Sequence, residues 1–228
     1  MQIITNLYPK NKQAPRPNNI GFTLIELLAS IAIIGVLMAI LIPAIGRIKA
    51  SAQNANCASN MRELGQGLLL FTQDNKGQLP LSIQPDPRKP DDDGTVSWQI
   101  LMMRQLDVPF AQRGDKSIFI CPSHRNTYPQ DAYRTYALNL SGAEPTVDAP
   151  RLLSLTNPSQ TALLVESRHE SGGAGYVSLS RSINGGSGKH RLDYRHDGQM
   201  NIFMADGHIQ SISEDDPKID DYLLNIRN

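Results

Sequence analysis

Between Phe22 and Gly46 nearly every position is apolar, and Glu26 is the single charged residue. The run exceeds the ~18 residues that mark a candidate membrane-spanning helix. Pro43 interrupts it, where loss of a backbone hydrogen bond is expected to bend the axis. Beyond Pro43 the pattern changes rather than ends. Ile45, Ile48, Ala52, Ala55, Ala58, Met61, Leu64, Leu68 and Phe71 recur at intervals that fit one face of an α-helix. Arg47, Lys49, Gln53, Asn60 and Glu63 fall on the opposite face. Asn75-Lys76-Gly77, with Pro80 close behind, predicts the helix stop. One helix from Phe22 to Asp74 would be about 80 Å long at ~1.5 Å per residue. Gly65 and Gly67 are expected to weaken its last turns.

After Pro80 the periodicity shortens. Ser82 to Gly94 reads as a solvated loop. Val96 to Leu106, with Trp98, Leu101 and Met102, predicts a short helix docked on the core. Ser117 to Cys121 predicts a buried strand closed by Pro122. Strand character returns at Arg134 to Leu138 and Thr161 to Val165, whereas Ser171 to Gly188 is Gly- and Ser-rich and reads as a mobile surface loop. Met200, Ile202 and Met204 alternate ahead of Asp206-Gly207, and His208 to Ile212 follows, which predicts a β-hairpin. Pro217 opens a last short helix carrying Ile219, Tyr222, Leu223 and Ile226.

Composition narrows the picture. The 228 residues carry no formal net charge, so no basic surface points to nucleic acid. Met1 to Gly21 holds Lys10, Lys12 and Arg16, three prolines and no acidic residue. It buries no core and is set apart from the fold, and its charge favours a cytoplasmic N-terminus. The chain divides into a leader (1–21), an apolar half-helix (22–46), an amphipathic half-helix (47–76) and an extracytoplasmic head (77–228).

Within the apolar run, Gly21-Phe-Thr-Leu-Ile-Glu26-Leu-Leu stands out. A carboxylate at the centre of a bilayer costs roughly 2.5 kcal/mol or more, so Glu26 calls for a reason. The octapeptide resembles the cleavage and methylation signal of type IV prepilins and type II secretion pseudopilins. The resemblance implies a pilin-like α+β fold, with a long N-terminal helix packed on a small antiparallel sheet. It implies cleavage between Gly21 and Phe22, methylation of the new Phe22 amine, and pairing of Glu26 with the amine of a neighbouring subunit. Two opposite charges attract strongly where the dielectric is low, and either alone is penalised. The partners implied are like subunits, a prepilin peptidase and an inner-membrane assembly platform. The implied location is the inner membrane, spanned once, with the head outside the cytoplasm.

The C-terminal part carries a second resemblance. His196, nine residues, then Asp206-Gly207 resembles the His-X9-Asp-Gly signature of a domain found on many prepilin-like proteins. The segments Cys57 to Gly65, Cys121-Pro-Ser and Tyr136 to Asn139 are similar to that group as well. No known activity comes with it.

Candidate chemistry remains to be weighed. Cys57 and Cys121 read either as two small buried residues or as a disulfide stapling helix to sheet, which an extracytoplasmic compartment permits. Asp91, Asp92 and Asp93 are oxygen ligands of the kind calcium takes, but their spacing matches no EF-hand loop. His190, His196, Asp197, Asp206 and His208 lie close in sequence and are residue types that ligate zinc, and a hairpin would bring His196 near His208. No metalloprotease motif, nucleophile elbow or phosphate-binding glycine loop accompanies them. The favoured reading puts Asp206 and Gly207 in the turn, with His196 capping the hairpin's outer side. The chain is expected to be a filament subunit, not an enzyme, with no cofactor beyond the calcium option. The alternative is a membrane-anchored binding or hydrolytic domain that uses the His/Asp-rich hairpin.

Overall fold

The computed structural model describes residues 21–86, 88, 94–109, 116–127, 135–140, 150–168, 178–180 and 192–224. The chain forms two compact units, Met1–Gly46 and Arg47–Asn228. Helix α1, Leu24–Asp74, runs through the boundary between them and contains Pro43 within its helical span.

In the first unit α1 opens on a reciprocal cap. The Glu26 carboxylate accepts from the Thr23 backbone N–H at 2.9 Å and from its hydroxyl at 2.7 Å, while the Glu26 N–H donates back to Thr23 Oγ1 at 3.3 Å. This satisfies donors that the first turn of a helix otherwise leaves open. Every described residue from 21 to 50 is exposed. A helix that is apolar on all sides and covered on none belongs in lipid or against partners, and α1 is long and apolar enough to cross a membrane.

In the second unit the buried stripe of α1 comprises Cys57, Met61, Leu64, Gly65, Gly67, Leu68 and Thr72. It begins later than the sequence periodicity predicts, because Ala52 and Ala55 are exposed. Asn60, expected on the solvent face, is half-buried and donates to the Ile120 carbonyl at 3.3 Å. The helix stops where predicted. Lys76 and Gly77 take positive φ, and the Gly77 N–H returns to the Thr72 carbonyl at 2.7 Å.

The sheet is α+β in character and mainly antiparallel. Strands β1 (Ile83–Pro85) and β2 (Thr95–Ser97) form a small ribbon, followed by α2 (Trp98–Gln105) and α3 (Pro122–Thr127). Strands β3 (Tyr136–Leu140), β4 (Ala162–Glu166), β5 (Ser178–Ser180), β6 (Gln199–Met204) and β7 (Ile209–Ser213) make the main sheet, and α4 (Ile219–Leu224) closes the described chain. Its strand order is β5-β3-β4-β6-β7, antiparallel throughout except where β5 joins β3 in parallel. Both faces are covered. Tyr136, Leu138, Leu164 and Phe203 pack with Met61, Leu64 and Leu68 of α1 and with Trp98 and Met102 of α2. Ala137, Val165, Met200, Ile202 and Met204 pack with Ile219, Tyr222 and Leu223 of α4. Alternation along β3 and β6 sends successive side chains to opposite layers.

Four local expectations are corrected. Ser117 to Cys121 is not a strand. Residues 118–120 turn instead, and Thr135 supplies what a ladder would have given: its N–H donates to Phe119 O at 2.9 Å and its Oγ1 accepts from Cys121 N at 2.7 Å. The run is apolar because Phe119, Ile120 and Cys121 are buried in that turn. The segment read as a loop from Ser82 to Gly94 holds β1, which pairs with Thr95–Ser97 so that the helix begins only at Trp98. The Gly/Ser-rich stretch 171–188 contains β5, and its other residues lie outside the described set. The final helix starts at Ile219, two residues after Pro217.

Candidate functional site

Two places carry chemistry. At the first, Gly21 and Phe22 precede α1 and are exposed, Phe22 to 77%. A β-carbon on Gly21 would meet nothing within 4 Å. Packing among the described residues therefore does not demand glycine there. Glu26 lies one turn further on, its carboxylate held by Thr23.

The second place was only partly legible. Asp197 and Gly198 both take positive φ, and His196 and Gln199 exchange backbone hydrogen bonds across them at 3.0 and 3.1 Å. This is the two-residue turn that an Asp-Gly pair favours, and the same rule applied one turn upstream would have found it. It carries the His196 ring inward, not to the hairpin's outer side. The ring is 3% exposed, with Nε2 2.8 Å from Oε1 of the fully buried Glu166 and 3.6 Å from Sγ of Cys121. Nδ1 faces Ser123 Oγ at 3.4 Å.

Glu166 ends β4 and anchors a further network. Its Oε2 accepts from the Asn201 backbone N–H at 3.1 Å. The Asn201 amide donates to Asn54 Oδ1 at 2.7 Å, and its Oδ1 accepts from Ser211 at 2.8 Å. A buried polar group left unpaired costs about 1–3 kcal/mol, so this chain of bonds allows a carboxylate and an imidazole to sit inside the sheet. Glu166, Asn201, Asn54 and Ser123 carry no sequence signal for this role, since their partners are dozens of residues away.

Cys57 and Cys121 form a disulfide, with Cα atoms 4.7 Å apart and a sequence separation of 64. The bridge ties α1 to the residue preceding α3. Tyr136 donates its hydroxyl to the Cys57 carbonyl at 3.1 Å. Burial, reinforced by the nearby Glu166 carboxylate, pushes this phenol well above its ordinary pKa.

Among the described residues, the histidines and aspartates weighed as a metal cluster do not assemble. His196 stands at the Gln199 end of β6, whereas Asp206-Gly207 and His208 lie past Met204 at the other end, separated by roughly 20 Å of strand at ~3.3 Å per residue. There the His208 ring sits 2.6 Å from Asp206 Oδ1 on the surface. Gly207 takes the positive φ of the turn. His190 and the Asp91–Asp93 run lie outside the described residues.

A family model described as the prokaryotic N-terminal methylation motif matches residues 16–42. No curated protein and no solved structure matches the chain. The match covers Gly21, Phe22 and Glu26 together with the apolar start of α1. It supports a prepilin-like subunit of the type IV pilin kind, processed by a prepilin peptidase and anchored in a membrane by its one N-terminal apolar helix.

Proposed function

We propose that the protein is a structural subunit of a type IV pilus-like or type II secretion pseudopilus filament. Cleavage after Gly21 frees the Phe22 amine, which is then methylated, and the mature chain sits in the inner membrane with its head outside the cytoplasm. Like subunits associate through the apolar halves of their N-terminal helices, head to tail, so that the assembly does not close. The prepilin peptidase and an inner-membrane assembly platform are the other partners. The observation that carries this reading is Glu26, a carboxylate within the matched motif on a helix exposed from residue 21 to 50. Its bonds to Thr23 are local and solvent-accessible, so the carboxylate is free to exchange them for the amine of a neighbour.

The alternative, an anchored binding or hydrolytic domain working through the C-terminal hairpin, would need His196 and His208 together. Their places at opposite ends of β6 favour the filament reading. The role proposed for Asp206-Gly207 in the His-X9-Asp-Gly signature is architectural, as the distal turn, and His196 points into the interior.

Intact mass and N-terminal sequencing of protein recovered from its native membrane test the processing. A chain beginning at Phe22 with one added methyl group is expected. A chain still beginning at Met1, or cut beyond Ala44, would overturn the proposal. Glu26→Ala should abolish filament incorporation while the head stays folded. A simple anchor would tolerate it.

A further inference from the structure

Four buried side chains from separate parts of the second unit converge on one point. Cys57 comes from α1, Cys121 precedes α3, Glu166 ends β4, and His196 leads into β6. Their ligand-type atoms, two sulfurs, a carboxylate oxygen and an imidazole nitrogen, all lie within 4.8 Å of one another. The cysteines and Glu166 are fully buried, and His196 nearly so. Two thiolates, an imidazole and a carboxylate form a donor set that zinc takes tetrahedrally, at bond lengths of about 2.0–2.3 Å. On such a tetrahedron the ligand atoms stand on the order of 3.5 Å apart, so the two bonded sulfurs must separate once the bridge is broken, while the imidazole and carboxylate already lie within reach. This set shares only His196 with the surface cluster read from the sequence.

We propose that this cluster is a thiol-gated zinc site, closed while Cys57 and Cys121 are joined and open when a dithiol reductant separates them. The disulfide consumes both sulfurs, so bridge and metal exclude each other. On reduction the S–S bond breaks and two S–H bonds form on the protein. Two electrons and two protons come from the dithiol, which leaves as its own disulfide. Zinc then displaces the two thiol protons to solvent.

The surroundings suit both forms. In the bridged form His196 Nε2 lies 2.8 Å from Glu166 Oε1, a carboxylate oxygen that can only accept, and Nδ1 lies 3.4 Å from the Ser123 hydroxyl. With zinc, Nε2 turns its lone pair to the metal, and the proton moves to Nδ1 for donation to Ser123 Oγ. That second hydrogen bond fixes tautomer and ring orientation in the manner of zinc-bound histidines. Glu166 keeps the Asn201 N–H on Oε2 and offers Oε1. The +2 of the ion is offset by the two new thiolates. That matters where an uncompensated buried charge is heavily penalised. A disulfide serving only as a staple has no need of an imidazole and a carboxylate desolvated beside it. The inference does not rest on the filament reading.

The test uses the full chain in detergent micelles, reduced with dithiothreitol, freed of reductant anaerobically and titrated with Co²⁺. One ion per chain is expected, with sulfur-to-cobalt charge-transfer bands and tetrahedral ligand-field absorption, displaced by Zn²⁺. The oxidised chain should show neither band. His196→Ala should weaken binding by more than about 100-fold, and Ser123→Ala by about 10-fold, as for a hydrogen-bond partner of a ligand. Glu166→Gln, nearly isosteric, serves as the second ligand variant if His196→Ala does not fold. A reduced wild-type chain that takes up no cobalt, or variants that bind as wild type does, would overturn the proposal. If reduction abolishes the near-ultraviolet dichroism of Trp98, zinc should restore it. Failure to restore it would equally overturn the site.

Discussion

A β-carbon placed on Gly65 of α1 would stand 2.4 Å from the ring of Phe203 in β6. Both residues are fully buried, so the absence of a side chain at residue 65 is what lets the helix lie against the central hairpin strand. Gly67 has a similar neighbour in Leu106, at 3.0 Å. Judged by helix propensity alone these glycines look like weak points, but a side chain at residue 65 would collide with Phe203 and one at residue 67 would crowd Leu106.

Gly65→Ala should therefore destabilise the protein, although alanine is intrinsically the better helix former by about 1 kcal/mol. Overpacking of this kind costs about 1–3 kcal/mol. Thermal unfolding of the full chain in micelles should show a lowered midpoint, partly recovered when Phe203→Leu is added. An unchanged or raised midpoint would mean that the ring yields freely.

Replacing both cysteines, Cys57→Ser with Cys121→Ser, should lower stability by about 4 kcal/mol, the chain-entropy value for a loop of this size. Denaturant unfolding of oxidised wild type against the double variant measures it. A loss below about 1 kcal/mol would show that the unfolded chain is little constrained by the bridge.

The tyrosines set an alkaline limit. Burial first, then the nearby Glu166 carboxylate, raises the Tyr136 pKa well above the ordinary phenol value. Burial first, then Glu214, raises Tyr194 to about 12. Each folded-state proton is thus held more tightly than the unfolded chain holds it. Stability is fully present below the unfolded value and declines as pH rises above it, until the folded group also ionises. The melting temperature should fall as pH climbs from 9 toward 11, in a range flagged by a tyrosine pKa of ~10. Tyr136→Phe should flatten that slope while giving up the bond to the Cys57 carbonyl. An equally steep slope in the variant would assign the decline to other groups.

At the opposite end of the pH scale the β6–β7 turn should loosen. Partial burial opposes ionisation of Asp206, but hydrogen bonds from the His208 backbone and ring outweigh it and hold the carboxyl below the ordinary aspartate value. Its contribution is present above the unfolded value and is lost as pH falls through the lowered folded one. Protection of the Gly207 and His208 amides, taken relative to their intrinsic exchange rates at each pH, should fall below that range in wild type, and Asp206→Asn should remove this change in protection. Protection that stays constant in wild type would exclude this pair as the turn's acid-sensitive contact.

What the amino-acid order determined by itself were the features that depend on near neighbours along the chain. The apolar run, the Gly21–Glu26 motif, the helix stop at Lys76-Gly77, the Trp98 helix and the Asp206-Gly207 hairpin all follow from local periodicity and backbone preference, which act within a few residues. Two strands were likewise legible to within two residues, because Tyr136–Leu140 and Ala162–Glu166 are apolar runs of strand length. Tertiary structure alone decided the rest. Ser117 to Cys121 has the composition of a strand, but Thr135 meets its hydrogen bonds in a turn. Ser178–Ser180 has the composition of a loop, but the open edge of β3 recruits it. His196, Glu166, Cys57 and Cys121 are spread over 139 residues, by the difference of their end positions, and no local rule relates them. Their meeting depends on strand order and helix packing, and so on contacts made far along the chain.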